Sequence, residues 1–390
     1  MNDDGSRDGN GADDDRADGD VADLRGDAAP EPESPEGPEA PEPWPMAPPT
    51  RRALWPWFLG VFTTILVVAS VVASFVQLPY YTIAPGDALD VNGLVTVHGA
   101  RQYPAKGSVM LLFVRERSRI NAWRWIQASL DSEIDLVKEK QFAGNADPAE
   151  LDAQAVADMA NSQNAAKYVA LRELGYKVTV ENEVSVLSVI RGRPAAGVLQ
   201  PGDIFASIDG AKIATADQLT NAMKGRKPGQ SVSIGYVRGG RHRTARLRFA
   251  ADAQGHPVIG VYLGRPLKFP IDVRIDTSDI GGPSAGLAMT LSILDELTPG
   301  NLTGAKQIAV TGAIGFDGSV QEVGGVGQKA VAARHRGAKL FIVPIQEVAE
   351  ARTRAGSMPV VGVRTLADAL RALRAAGGDP LPVVHSRAAA

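Results

Sequence analysis

The chain has 390 residues, long enough for two globular domains and further segments, and its 44% hydrophobic and 22% charged residues are ordinary globular material. It has no cysteine, which excludes disulfides, Cys-ligated zinc, iron–sulfur clusters and a cysteine nucleophile; its five histidines form no HExxH and no close pair, so no metal site or cofactor is expected. The net charge of −3 hides a division: residues 1–52 hold fifteen acidic residues and five arginines, while the remainder holds 36 basic against 29 acidic groups, with no basic stripe and interleaved aromatics for nucleic acid.

Residues 1–52 carry almost no large apolar side chains before Trp44 and include a proline-spaced acidic tract over 30–43. Such a segment cannot bury enough surface to offset its ordering entropy, so a disordered, acidic, cytoplasmic tail is expected. Arg51 and Arg52 then precede a stretch free of charge from Ala53 to Gly86. Its apolar part, 58–78, would be about 31 Å long as a helix, enough to cross the hydrocarbon core of a bilayer. Trp55 and Trp57 at one end, and Tyr80 and Tyr81 at the other, read as an aromatic belt. The arginines before the span place the N-terminus in the cytoplasm, and the rest of the chain on the far side of the cell membrane. The lipid bilayer is thus a predicted partner of a transmembrane helix at 53–78.

Residues 79–183 predict strands at 94–97 and 108–114, and a helix from about Asp147 to Leu174 with Gly175 as its stop. Residues 184–250 predict a mostly β domain. Its strand at 184–190 is followed by a helix at 215–224 and a hairpin turning at Gly239-Gly240. Residues 251–378 alternate strand and helix: helix 284–297, strands 308–314 and 340–345, helix 326–336, and an amphipathic helix capped by Thr365. A short tail, 379–390, closes the chain.

The chemistry concentrates in two glycine-rich segments. Gly282-Pro-Ser284-Ala285-Gly286 opens a helix, and small neighbours leave the Ser284 hydroxyl accessible. Glycines also let backbone N–H groups converge on an oxyanion, and the helix N-terminus favours negative charge. The plain alternative is a helix cap. A serine nucleophile needs a base. No histidine stands in a triad order, whereas Lys329 opens a helix of Ala and Val after Gly324-Gly325. Burial of a lysine disfavours its charged form and lowers its pKa, which fits it to accept a proton.

Two resemblances follow from these residues. The stretch Leu199-Gln-Pro-Gly-Asp-Ile-Phe-Ala-Ser-Ile-Asp-Gly210 resembles the LxxGDxIxxIxG pattern of bacterial protease-associated PDZ domains. The run from Thr311 through Val320-Gln-Glu-Val-Gly-Gly-Val-Gly-Gln-Lys329, with Gly282–Gly286, resembles the proteolytic domain of Lon proteases over about 270–375. That resemblance implies a Ser–Lys dyad: Ser284 as nucleophile, Lys329 as base, Thr311 orienting the lysine, and Gly282 and Ala285 in support. It departs from the family where an Asp often stands three residues before the serine, which is Gly281 here; Asp276 or Asp279 are the acidic groups left to support the dyad. No GxxxxGK[ST] stretch occurs, so no ATPase is expected. In this order the segments resemble the bacterial membrane-anchored Lon-like PDZ serine proteases, as does the stretch 78–92 after the span.

The expected fold class is therefore an α/β (α+β) Lon-type proteolytic domain with an inserted, mostly β PDZ-like domain, after one N-terminal transmembrane helix. Insertion is expected because 252–283 is too short to supply the strands before the serine, whereas 94–97 and 108–114 can. The expected function is an ATP-independent serine endopeptidase of membrane or extracytoplasmic proteins. Its partners would be protein substrates with exposed tails or unfolded segments, an extended segment with an apolar C-terminus being held as a strand beside 184–190, and a homo-oligomer, a hexamer by analogy with Lon rings. The rival is an inactive PDZ scaffold on a Lon-like fold.

Overall fold

The structure, a computed structural model, describes residues 54–142, 144, 147–277 and 280–382, so the acidic tail 1–52, Asp279 and most of the 379–390 tail lie outside the described residues. The chain divides into residues 1–60 and 61–390. Of the first unit, only the start of helix α1 (Trp55–Phe75) is described. This helix has a mean hydropathy of 2.3 over its apolar window and no buried residue. It is long and apolar enough to cross a membrane. Tyr80 and Tyr81 do not belong to its flank as a belt would require. They begin strand β1 (Tyr80–Asp90), where Tyr81 is buried and stacks on Phe142 at 4.7 Å.

The chain continues through β2 (Val95–His98), β3 (Ser108–Arg117), α2 (Ala122–Leu130), β4 (Asp135–Lys138) and α3 (Pro148–Glu173). Asp147 caps α3 by accepting from Ala149 N–H, and Gly175 takes φ +79 just past its end. Next come β5 (Ser185–Val189), β6 (Ile204–Ile208), α4 (Ala216–Met223), β7 (Ser231–Arg238), β8 (Arg241–Arg248) and β9 (Val261–Gly264). These pair in the order β8-β7-β6-β5-β9. Their core is Val184, Val186, Leu199, Phe205, Ile208, Leu219, Val232 and Ile234. Two expectations change here. The sheet continues past residue 250 to take in β9. Strand 185–189 is not an edge, because β6 and β9 occupy its two sides. Val186 is 1% exposed within the core, so it faces no groove.

The second half supplies β10 (Asp272–Ile275), α5 (Gly286–Leu297), β11 (Gln307–Val310), β12 (Ala313–Ile314), β13 (Val320–Gln321), α6 (Val326–His335), β14 (Leu340–Pro344), α7 (Val348–Ala355), β15 (Val360–Val363) and α8 (Leu366–Ala375). The main sheet runs β15-β14-β11-β3-β1-β4. The four strands β15, β14, β11 and β3 are parallel, and β1 and β4 are antiparallel additions. Side chains alternate between two cores, as the pleat demands. Val109, Leu111, Ile308, Val310, Leu340 and Ile342 face α3, α5 and α8. Met110, Leu112, Ala309, Phe341 and Val343 face α6 and α7.

The pairing explains the chain order. β2 pairs antiparallel with β10, and β3 pairs parallel with β11. Strands that precede the β5–β9 domain thus complete the sheet that follows it.

Candidate active site

Three side chains were singled out as Ser284, Thr311 and Lys329, and the fold brings all three segments to one edge of the main sheet. That edge is the carboxyl end of β11. Pairing breaks there because Gly312 takes φ +143, which splits the predicted strand 308–314 into β11 and β12. Gly312 N–H donates to the Ser284 carbonyl at 3.0 Å, Thr311 Oγ1 donates to the same carbonyl at 3.4 Å, and Leu287 N–H donates to the Gly312 carbonyl at 3.1 Å. The serine segment is therefore clamped to the strand end through its backbone. The carboxyl end of parallel strands is where open α/β sheets place their ligands.

Helix α3 holds the same segment from its other side. Gly282 N–H donates to Ala155 O at 2.8 Å, and Ser162 Oγ donates to Pro283 O at 2.9 Å. The small residues are required by this packing. Gly282 sits at φ +89, where a side chain is strained, and a Cβ on Gly286 would lie 2.9 Å from both Ile314 N and Ser162 Oγ. The helix-cap alternative for Ser284 does not hold. The N-cap of α5 is Ala285, and no side chain caps that helix. Ser284 is half-buried beside the start of α5, whose dipole favours negative charge there, while Gly286 N–H donates to Pro283 O at 3.3 Å and Leu287 N–H to Gly312 O.

Lys329 enters from the opposite face, in the first turn of α6. Gly325 begins that helix at φ +68, and a Cβ there would lie 2.8 Å from Val114 Cγ1, beyond the end of β11 on the neighbouring strand. Lys329 is 2% exposed, on a helix whose Val326, Ala330, Val331 and Ala333 are buried. Burial lowers its pKa from 10.5 to about 8, against the pull of Glu347, Glu116 and Glu350, which act through space rather than by a hydrogen bond. Burial in turn raises Glu347 and desolvation raises Glu116, and Lys329 moderates both. Among the described residues, no hydrogen bond joins Ser284 Oγ to Lys329 Nζ; the contact made is between Ser284 and Thr311.

The acidic groups that reach Lys329 were not among those anticipated. Asp276 follows β10, and its backbone N–H donates to Leu94 O at 2.9 Å. Glu347 follows β14 and anchors the glycine approach by accepting from Val323 N–H at 2.9 Å, and Glu350 accepts from Gly327 N–H at 3.0 Å. The only signal for them in the sequence is their place just after the apolar run 340–345. No cluster of His, Asp or Glu among the described residues could hold a metal.

Away from this edge, two apolar grooves flank β9. One, about 380 Å³, is lined by Leu219 and Met223 of α4 and by Val261 and Tyr262. The other, about 500 Å³, is lined by Tyr168, Leu267 and Phe316, and the two share Thr220 and Leu263.

With this geometry in hand, comparison with known proteins is direct. Residues 169–248 match the PDZ domain, and residues 273–358 match the Lon protease (S16) C-terminal proteolytic domain. The chain is a Lon-like PDZ protein. The Lon match stops short of β2 and β3, which the sheet pairing adds to the Lon-like core. Among relatives of this Lon-like protein, the Lon protease of Malacoplasma penetrans is 28% identical over 186 residues, covering 46% of the chain and 21% of that protein. Lon protease 2 of Bacillus subtilis is 31% identical over 104 residues, covering 27% and 18%. The chain thus spans about a fifth of the length of these relatives. Among solved structures, the PDZ domain of an SdrC-like protein from Listeria monocytogenes is 31% identical, covering 22% of this chain and 90% of that one, with a TM-score of 0.21.

Proposed function

We propose that this Lon-like PDZ protein is a membrane-anchored serine endopeptidase that works without ATP through a Ser284–Lys329 dyad. The observation that carries it is the buried Lys329, held near neutrality at about 8, at the same sheet edge as a serine that serves no capping role. In the reaction, neutral Lys329 takes the Ser284 proton as Oγ attacks the scissile carbonyl. The resulting ammonium then gives a proton to the leaving amine. Water, deprotonated by the same lysine, releases the acyl group. Thr311 and Gly312 fix the serine backbone, and the uncapped start of α5 favours the oxyanion.

Substrate is held as an added strand on β9, the terminal strand of the PDZ sheet, in the groove facing α4. The shared lining of the two grooves, Thr220 and Leu263, continues this track towards Tyr168 and Phe316. Without an ATPase in these 390 residues, substrates are unfolded segments or exposed tails. The helix α1 spans the membrane, with residues 1–52 cytoplasmic and the catalytic region outside.

The test is labelling of the purified protein by a fluorophosphonate or peptide boronate, together with cleavage of an unfolded casein. Ser284→Ala should lose cleavage while keeping the melting temperature; Lys329→Arg should lose cleavage because arginine keeps its proton at every accessible pH, and should lower the melting temperature by burying a permanent charge. Full cleavage by either variant refutes the dyad, and an unlabelled wild type favours the inactive scaffold.

A further inference from the structure

Helix α2 carries apolar side chains that the fold does not cover. Trp123 is 44% exposed, Ile126 43% and Leu130 84%, spaced at three and four residues along one face. Only Ala128 of this helix is buried. Such a face calls for a partner, and the structure indicates which one. Trp123 Nε1 donates to the backbone carbonyl of Ser70 at 3.0 Å, and Asn121, which caps α2, reaches the Ser74 carbonyl at 3.4 Å. Ser70 lies within α1, roughly 7 Å before its end at 1.5 Å per residue. The Trp123 indole is therefore level with the last turns of the apolar helix. The same end of the fold presents Arg117, Arg119 and Arg124 to solvent. Of the acids nearby, Glu139 pairs with Arg119 at 3.6 Å, and Glu133 is engaged by Arg334 at 2.8 Å.

We propose that α2 is a second membrane contact: an interfacial helix whose Trp123, Ile126 and Leu130 sit at the headgroup–acyl boundary of the bilayer that α1 crosses, with the arginines towards anionic headgroups. This rests on the reading that α1 spans a bilayer. Tryptophan favours that boundary because its ring is apolar and its N–H finds a partner; an amphipathic helix with aromatic and basic residues lies in the interface plane. The contact would fix the orientation of the catalytic region, not only its tether. Glu116, which acts on Lys329, is the penultimate residue of β3, which ends at Arg117 and leads to α2. The strand that carries Glu116 thereby ends towards the bilayer surface.

The chain lacks cysteine, so single cysteines report position cleanly. The full-length protein would carry an environment-sensitive fluorophore at Leu130→Cys, Val68→Cys or Thr244→Cys. Each is reconstituted in phosphatidylcholine–phosphatidylglycerol vesicles containing a lipid with its nitroxide at a shallow or a deep acyl carbon. The Leu130 label should be quenched several-fold more by the shallow nitroxide than by the deep one. The Val68 label, inside α1, should show the reverse, and the Thr244 label, on β8, should not respond. Deep quenching at Val68 with none at Leu130 overturns the interfacial helix while leaving the span intact. No quenching at Val68 removes the span and the proposal with it. A Leu130 label shielded from lipid in a protein-concentration-dependent manner assigns the face to a second copy of the chain, and also overturns the proposal.

Discussion

The rate of peptide cleavage should titrate with Lys329. With the lysine at about 8, the neutral, proton-accepting fraction is about 1% at pH 6, about 10% at pH 7 and about half at pH 8. Cleavage by the wild type should therefore rise about 50-fold from pH 6 to pH 8 and level off above about pH 9. At its ordinary value of 10.5 the same lysine would be neutral in only about one molecule in 3,000 at pH 7, so burial supplies a factor of about 300, or about 3 kcal/mol. The sign for stability is opposite to that for the usual carboxylate. The folded value lies below the unfolded one, so between about pH 8 and 10.5 the unfolded chain holds the extra proton. Stability rises with pH across that window, and below it the buried ammonium costs the fold. Glu347 offers the discriminating perturbation, because its charge is the largest of those holding the lysine up. Glu347→Gln keeps the acceptor for Val323 N–H and removes that charge, so the midpoint of the pH–rate profile should move to lower pH. The assay is initial-rate cleavage of a quenched-fluorescence casein over pH 5.5–10, with melting temperatures alongside. A midpoint that stays fixed in Glu347→Gln, or a flat wild-type profile, refutes Lys329 as the base.

Gly286→Ala should destabilise the fold by about 1–3 kcal/mol, since its Cβ would meet the backbone nitrogen of Ile314, whereas Gly282→Ala, with open space around it, should act mainly on turnover through strain at φ +89; melting curves and cleavage rates separate the two. Leu263→Asp, at a 41% exposed position shared by both grooves, should weaken cleavage of a full-length unfolded protein and spare a short generic peptide; equal loss on both would make the groove structural. External protease on spheroplasts should remove epitopes beyond residue 79 and spare one fused before residue 50, and the reverse pattern would invert the topology.

Much of this was written locally in the sequence. Thr215 and Thr365 cap their helices, Gly239-Gly240 turns the hairpin, and Gly282, Gly286 and Gly325 stand where positive φ or close approach requires them. The elements of the site were legible for that reason. What was not legible depends on distant segments meeting. Glu347 and Glu116 flank Lys329 only because β14 and β3 lie on the two sides of β11. Likewise, strand 185–189 has the composition of an edge or a centre equally, and only β9, arriving from past residue 250, decides that it is internal. Tyr81 followed an apolar run and read as a membrane flank, but its burial depends on Phe142, far along the chain.

The pairing of β2 with β10 and β3 with β11 also sets a timetable. Both pairs join strands that the whole PDZ domain separates, so the loop closure they require is among the costliest in the chain. The PDZ sheet can form from contiguous sequence as soon as β9 has emerged. The catalytic edge cannot, because β11 and α6 come later still. During vectorial synthesis the PDZ sheet is therefore complete while the main sheet still lacks half its strands. The order of the strands thus lets a chain cut short after β9 complete the PDZ sheet while lacking β11, β14 and β15 of the main sheet; under the proposed function, such a chain would hold substrate without cleaving it.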